Sequence, residues 1–254
     1  MDVDFGRTAS DYARHRAGFP DRFFERLFAA GFVKPADRVL DLGTGTGTVA
    51  RGLAKRGCTV TGLDRSRALL EQAEALDREA GVEIHYVLAT AEDTGLPAYT
   101  FDAVTAGQCW HWFDRPRAAL EARRLLAHGG RLVIAHFDWL PLPGNVVEAT
   151  ENLVRAHNPS WSWHGGAGVH PFWFADLSSA GFVEIESFSF DVSVPYSHEA
   201  WLGRIRASAG VGASLAPDAI GRFDAAHREL LARDFPAEPL QIPHRVFAVT
   251  GRSP

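Results

Sequence analysis

The stretch Val39-Leu40-Asp41-Leu42-Gly43-Thr44-Gly45-Thr46-Gly47 constrains this chain more than any other. Apolar residues of strand type run into three glycines at alternate positions, and a helical pattern follows. Such a bend lets the backbone turn where a Cβ would collide, and it aims the unpaired amides of a helix N-terminus at a ligand. A dinucleotide fingerprint would read Gly-x-Gly-x-x-Gly. Here Thr48 occupies the position of the third glycine, and the spacing is the tighter Gly-x-Gly-x-Gly. Asp41 lies two residues before the first glycine, where its negative charge repels a pyrophosphate and suits a ligand carrying an ammonium group.

The rest of the chain frames that loop. From Val39 to Val133 short β-type runs alternate with helical patterns, the signature of βαβ units winding a parallel sheet. Strands are expected at Arg38–Leu42, Thr59–Leu63, Glu83–Leu88, Ala103–Ala106 and Arg131–His136, with helices near Thr46–Lys55, Ser66–Glu79 and Pro116–Leu126. After Trp139 the pattern breaks at Pro141, Pro143 and Gly144. Helices are expected near Val146–His157, Pro171–Ala180, His198–Ser208 and Pro217–Arg233. A strand is expected over Phe182–Val192, and an antiparallel last strand over His244–Val249.

The expected fold is α/β: a Rossmann-like, seven-stranded, mostly parallel sheet with helices on both faces and an aromatic-rich helical lid. At 254 residues one core with an appended lid is expected. It divides into N-terminal cap helices (1–30), a cofactor-binding core (31–140), lid and substrate-recognition insertions around strand 182–192 (141–240), and the last strand (241–254).

Four motifs in order resemble the class I S-adenosylmethionine-dependent methyltransferases, in the methyltransferase type 11 or trans-aconitate methyltransferase-like branch, which is bacterial. Leu40–Gly47 resembles the family's first motif, which wraps the amino-acid end of the cofactor. Asp64 stands where the family places an acid that accepts both ribose hydroxyls. Ala89-Thr90-Ala91-Glu92-Asp93 is similar to the segment that meets adenine, although Thr90 replaces a common acid. Gln108-Cys109-Trp110-His111-Trp112-Phe113-Asp114 resembles the His-Trp-Phe-Asp signature of that branch. The resemblance covers Tyr12 to Phe137.

It implies S-adenosylmethionine as cofactor, S-adenosylhomocysteine as product, and a small-molecule methyl acceptor. The implied cofactor residues are Tyr12, Arg16, Asp41, Gly43, Thr44, Gly45, Asp64, Arg65, Ala91, Glu92 and Gln108. Tyr12 and Arg16 follow the family's Tyr-x-x-x-Arg element, in which the arginine pairs with the cofactor carboxylate. Plain structural readings stand beside these: Asp64 as a helix N-cap, Gln108 as a loop-closing hydrogen bonder, Arg16 as a solvated arginine.

His111, past a strand's carboxyl end, is either the base that takes a proton from the acceptor or a packed residue of the pocket floor. Trp110, His111, Trp173 and Arg204 are the candidate substrate contacts. The aromatic cluster Trp161, Trp163, Phe172, Trp173 and Phe174 reads as lid core with some substrate wall. His164 and His170 have no spacing that argues for a metal, so none is expected.

Composition excludes other classes. A net charge of −5 offers no basic face for nucleic acid, and no apolar run approaches a membrane span. Cys58 and Cys109 read as thiols, which suits the cytoplasm. The rival functions are a noncatalytic or regulatory S-adenosylmethionine-binding protein of the same fold and a nicotinamide oxidoreductase. Thr48 and Asp41 count against the oxidoreductase. Nothing in the sequence specifies an oligomeric state.

Overall fold

The computed structural model describes residues 18–254, so Tyr12 and Arg16 lie outside the described residues. Helix α1 spans Asp21–Ala29, followed by β1 (Arg38–Leu42), α2 (Thr48–Ala54), β2 (Thr59–Asp64), α3 (Arg67–Ala80) and β3 (His85–Leu88). Next come β4 (Phe101–Gly107), a 3-10 turn at Trp110–Trp112, α4 (Arg115–Leu125) and β5 (Leu126–Trp139). The chain continues through α5 (Val146–His157), α6 (Phe172–Ser179), β6 (Val183–Tyr196), α7 (His198–Arg206), α8 (Pro217–Asp234) and β7 (Leu240–Arg252).

The seven strands form one sheet in the order β3-β2-β1-β4-β5-β7-β6. Pairs β1–β2, β1–β4, β2–β3 and β4–β5 are parallel. Strand β7 runs against β5: Ser253 bonds Gly129 and Gly130 near the start of β5, while Leu140, just past its end, bonds Pro243. The expected antiparallel return is therefore present. A parallel sheet covered on both faces needs near-continuous apolar strands, and β1 is accordingly buried from Val39 to Leu42.

By its contacts the chain divides into two compact units. The first comprises Gly18–Phe137, His170–Phe190 and Val246–Pro254; the described part of the second comprises Asp138–Val169 and Asp191–Arg245. Each has its own apolar core. Leu40, Leu63, Val104, Leu132, Trp110 and Leu177 belong to that of the first; Val147, Trp201, Ile205, Phe223, Leu231 and Ile242 belong to that of the second. Each fully buried leucine contributes roughly 1.5–3 kcal/mol relative to exposure.

Several expected boundaries moved, among them those of β6 and β7, and two moved for clear physical reasons. Helix α2 begins at Thr48, not Thr46, because Gly47 is its N-cap in the left-handed region at φ 78°. Strand β5 begins at Leu126, not Arg131. The pairing shifts from Phe101↔Leu126 to Ala103↔Arg131, so Gly129-Gly130 forms a bulge within the strand instead of a turn before it. A Cβ on Gly130 would lie 2.9 Å from the Asp102 carbonyl oxygen. Cys58 and Cys109 are buried and form no disulfide, and among the described residues no helix is long and apolar enough to cross a membrane.

Candidate active site

The glycine loop joins the carboxyl end of β1 to the first turn of α2, all within the first unit. Gly43, Gly45 and Gly47 have φ of 59°, 57° and 78°, values that a Cβ makes costly. They are glycine for different local reasons. A Cβ on Gly43 would fall 2.9 Å from Cys109 Cβ, Cys109 Sγ and Phe113 Cζ, and one on Gly47 would fall 2.7 Å from the Tyr86 hydroxyl. At Gly45 no described residue lies within 4 Å. Side chains occupy the space at the two outer glycines, and of the three only the middle one has none of the described residues against it.

Two carboxylates hold this loop. Asp41 is 1% exposed; its oxygens accept from the hydroxyls of Thr44 at 2.7 Å and Thr105 at 2.6 Å. Burial raises its pKa to about 6 despite these hydrogen bonds, because desolvation disfavours the charged form. Asp64, also buried, accepts from the Gly45 amide at 2.9 Å through one oxygen and from the Ser66 amide at 2.9 Å through the other. Burial pushes its pKa upward as well. Asp64 is not the cap of α3. Ser66 is, accepting from Leu69 N, while Asp64 turns the chain into that helix. Each carboxylate oxygen accepts more than one hydrogen bond, so Asp64 retains acceptor capacity toward a ligand.

A second layer escaped the sequence reading. Arg51 pairs with buried Asp77 at 2.8 Å, and its guanidinium donates to the Thr46 carbonyl at 2.9 Å. Tyr86 donates to Asp77 at 2.7 Å and closes against Gly47. This network fixes the loop from residues up to 40 positions away in sequence, which no local pattern could signal.

The remaining candidates differ in exposure and in hydrogen-bond partners. Arg65 is exposed and Ala91 buried. Glu92 accepts from the Asp114 amide at 2.8 Å, where Asp114 caps α4. Gln108, at φ 66°, closes the loop after β4: its amide N–H donates to Ala135 O at 2.8 Å and its side chain donates to Phe137 O.

Trp110 requires a correction. It is 0% exposed and its indole N–H donates to Asp176 at 2.9 Å, which makes it core and not substrate wall. Trp173 is also largely buried, at 3% exposed. It stacks on His170 with ring centroids 4.2 Å apart and 5° between planes.

His111, half-buried in the 3-10 turn, has its Nδ1 3.0 Å from Nε2 of buried His136 on β5. The His170 ring lies 4.5 Å from that of His136. Three imidazoles thus meet near the carboxyl ends of β4 and β5, the side of an open α/β sheet where ligands bind. Residues 111, 136 and 170 share no sequence motif, so the cluster was not visible in advance.

In the second unit, Arg204 is not a solvated helix arginine. Its guanidinium lies 4.6 Å from the Trp139 ring and hydrogen-bonds Tyr196, and burial lowers its pKa. Of the aromatic cluster in that unit, Trp161 is core at 7% exposed while Trp163 is 54% exposed.

Comparison with known proteins places these features in context. A family model for a methyltransferase domain matches residues 40–134. An uncharacterised methyltransferase of Mycobacterium bovis is 37% identical over 161 residues, 61% of this chain and 63% of that protein. The chain thus spans under two thirds of that relative's length. The malonyl-[acyl-carrier protein] O-methyltransferase of Geobacter sulfurreducens is 33% identical over 230 residues, 86% of this chain and 82% of that protein. Among solved structures, a chain from Anaeromyxobacter dehalogenans provisionally assigned to the type II methyltransferases superposes with a TM-score of 0.66 at 25% identity, covering 94% of this chain and 98% of that one.

Proposed function

The chain belongs to the class I S-adenosylmethionine-dependent methyltransferases, and from that premise we propose that it transfers the methyl group of S-adenosylmethionine to a small-molecule acceptor. The observation that carries the reading is the loop at Gly45: left-handed backbone with none of the described residues against it, hydrogen-bonded to Asp64 and backed by buried Asp41. That donor set fits the cofactor. It offers amides near an amino-acid carboxylate, a carboxylate for ribose hydroxyls and a buried acid whose field favours an ammonium group. A diphosphate would meet two carboxylates in the same place.

Asp41, Gly43, Thr44 and Gly45 would hold the amino-acid end, Asp64 and Arg65 the ribose side, and Ala91 and Glu92 the adenine. Gln108 would brace the floor beneath the sulfur. Tyr12 and Arg16 are proposed for the cofactor carboxylate on the resemblance alone. When bound, the cofactor supplies an activated methyl group on a positively charged sulfur. The chain's part is to align the acceptor with that methyl carbon and to exclude water. Trp173 is the proposed acceptor contact within the first unit, and His111 the proposed base for an acceptor that must lose a proton.

The test is transfer of labelled methyl from S-adenosylmethionine to a panel of hydroxylated, carboxylated and amino acceptors, with calorimetric titration of S-adenosylhomocysteine alongside. Saturable binding with transfer to at least one class is expected. Tight binding with no transfer to any acceptor would support the noncatalytic alternative, and failure to bind the product would sink the reading.

A further inference from the structure

Arginine charges in the second unit are met in one of two ways, with one exception. Arg206, Arg222, Arg228, Arg233 and Arg245 each pair with a carboxylate, and Arg155 is exposed to water. Arg204 has neither. It is half-buried, and burial is the largest influence on its pKa, which it lowers. Among the described residues it forms no ion pair. Asp138 acts on it only through its field, and Tyr196 accepts one of its hydrogen bonds. Its place in the last turn of α7 offers the partial negative charge of a helix C-terminus, which is not a counter-ion. Withdrawing a guanidinium from water without a counter-ion costs free energy, and an anionic ligand would offset that cost.

The surroundings fix how the guanidinium is presented. The Trp139 ring lies 4.6 Å from it, a cation–π contact that takes up one face of the guanidinium plane. That ring is itself held: its indole N–H donates to Glu151 at 2.8 Å, and the other oxygen of Glu151 accepts from the Gly165 amide at 2.8 Å. Trp201 packs edge-on against both Trp139, at 5.5 Å, and Tyr196, at 5.4 Å. Stacking leaves the N–H donors in the plane of the guanidinium. There are five, and Tyr196 accounts for one bond.

We propose that Arg204, stacked on Trp139, anchors a binding site in the second unit for a small molecule that bears a carboxylate. The inference goes beyond the methyl-transfer reading and does not rest on it.

Charge balance selects that class of ligand. Burial lowers the pKa of neighbouring His244 to about 4, so at neutral pH it adds no second positive charge. One guanidinium beside the field of Asp138 matches a monoanion, whereas a phosphate dianion would stay half uncompensated. A carboxylate also fits the planar fork, which can bind its two oxygens together.

The test is a titration of the full chain, nitrogen-15-labelled at the arginine Nε, followed by proton–nitrogen correlation. The Arg204 signal is the one missing from Arg204→Met. The probe is benzoate, a monoanion with a flat apolar body, compared with neutral benzamide, with phenyl phosphate, and with sodium chloride at equal ionic strength. Benzoate should shift the Arg204 signal saturably and raise the melting temperature, and benzamide and sodium chloride should do neither. Arg204→Met should lose the melting response to benzoate. Arg204→Lys, which keeps the charge without the fork, should bind benzoate at least about tenfold more weakly. An Arg204 signal unmoved by benzoate, or moved equally by benzamide or sodium chloride, overturns the proposal. So does a Lys variant of wild-type affinity, and phenyl phosphate binding more tightly than benzoate would overturn the assignment to carboxylates. Should Arg204→Met fail to fold, the signal missing from Arg204→Lys identifies Arg204, and that variant decides.

Discussion

Replacing the glycines of the loop one at a time by alanine should separate what the fold needs from what the ligand needs. Gly43→Ala and Gly45→Ala both force a Cβ into the left-handed region, at φ 59° and 57°, costing roughly 1–2 kcal/mol each. Gly43→Ala also drives its methyl to 2.9 Å from Cys109 and Phe113, an overpacking cost of about 1–3 kcal/mol. The totals are about 2–5 kcal/mol for Gly43→Ala and about 1–2 kcal/mol for Gly45→Ala. At roughly 2–4 °C per kcal/mol for a chain of this size, Gly43→Ala should melt well below Gly45→Ala. Affinity should rank the other way among folded molecules. The Gly45 methyl enters the space proposed for the cofactor, and a loss of at least about tenfold, ~1.4 kcal/mol, is expected. Thermal denaturation followed by circular dichroism gives the first order, and titration of S-adenosylhomocysteine below the melting range gives the second. Equal melting temperatures would refute the steric account of Gly43, and wild-type affinity in Gly45→Ala would refute the placement of the ligand.

Three further outcomes follow from named contacts. Asp41 takes up its proton at about pH 6 when folded but near 3.9 when unfolded. The folded state therefore binds more protons between those values, and this group's contribution to stability falls as pH rises from about 4 to about 6. Asp41→Asn should remove that dependence and raise neutral-pH stability, by ~3 kcal/mol at most, while weakening S-adenosylmethionine binding; denaturation at several pH values alongside calorimetry checks both. Asp64→Ala should cost ~1–3 kcal/mol of cofactor affinity through lost ribose hydrogen bonds and should also lower stability, since the Gly45 and Ser66 amides lose their acceptor. Trp110→Phe deletes the bond to Asp176 and should lower stability by about 1–3 kcal/mol, with S-adenosylhomocysteine affinity unchanged in the same titration. A selective loss of affinity would return Trp110 to the site.

Local patterns in the sequence disclosed the secondary structure well where side chains alternate or repeat against a covered face. Strand β1 and helix α5 match their expected limits, because Val39, Leu40 and Leu42 put apolar side chains into a buried strand and Asn145 caps the repeat that begins at Val146. What composition could not disclose depends on long-range approach. The Gly129-Gly130 bulge exists because backbone carbonyls crowd Gly130. The Arg51–Asp77–Tyr86 brace joins three elements, and the imidazole cluster draws on β4's following turn, β5 and the segment before α6. Trp110 was misplaced for the same reason: a tryptophan beside a strand end reads alike whether its ring turns into the core or into a pocket, and Asp176, which decides it, lies 66 positions on. Glu92 and Gln108, each read as a cofactor contact, also serve as anchors of the turns around the site.

The decisive experiment is diffraction from crystals soaked with S-adenosylhomocysteine. Density should show the amino-acid end against the amides of Gly43–Gly45, with both ribose hydroxyls on the Asp64 carboxylate. A bend left empty at saturating product, or one that instead takes up a dinucleotide, would contradict the account.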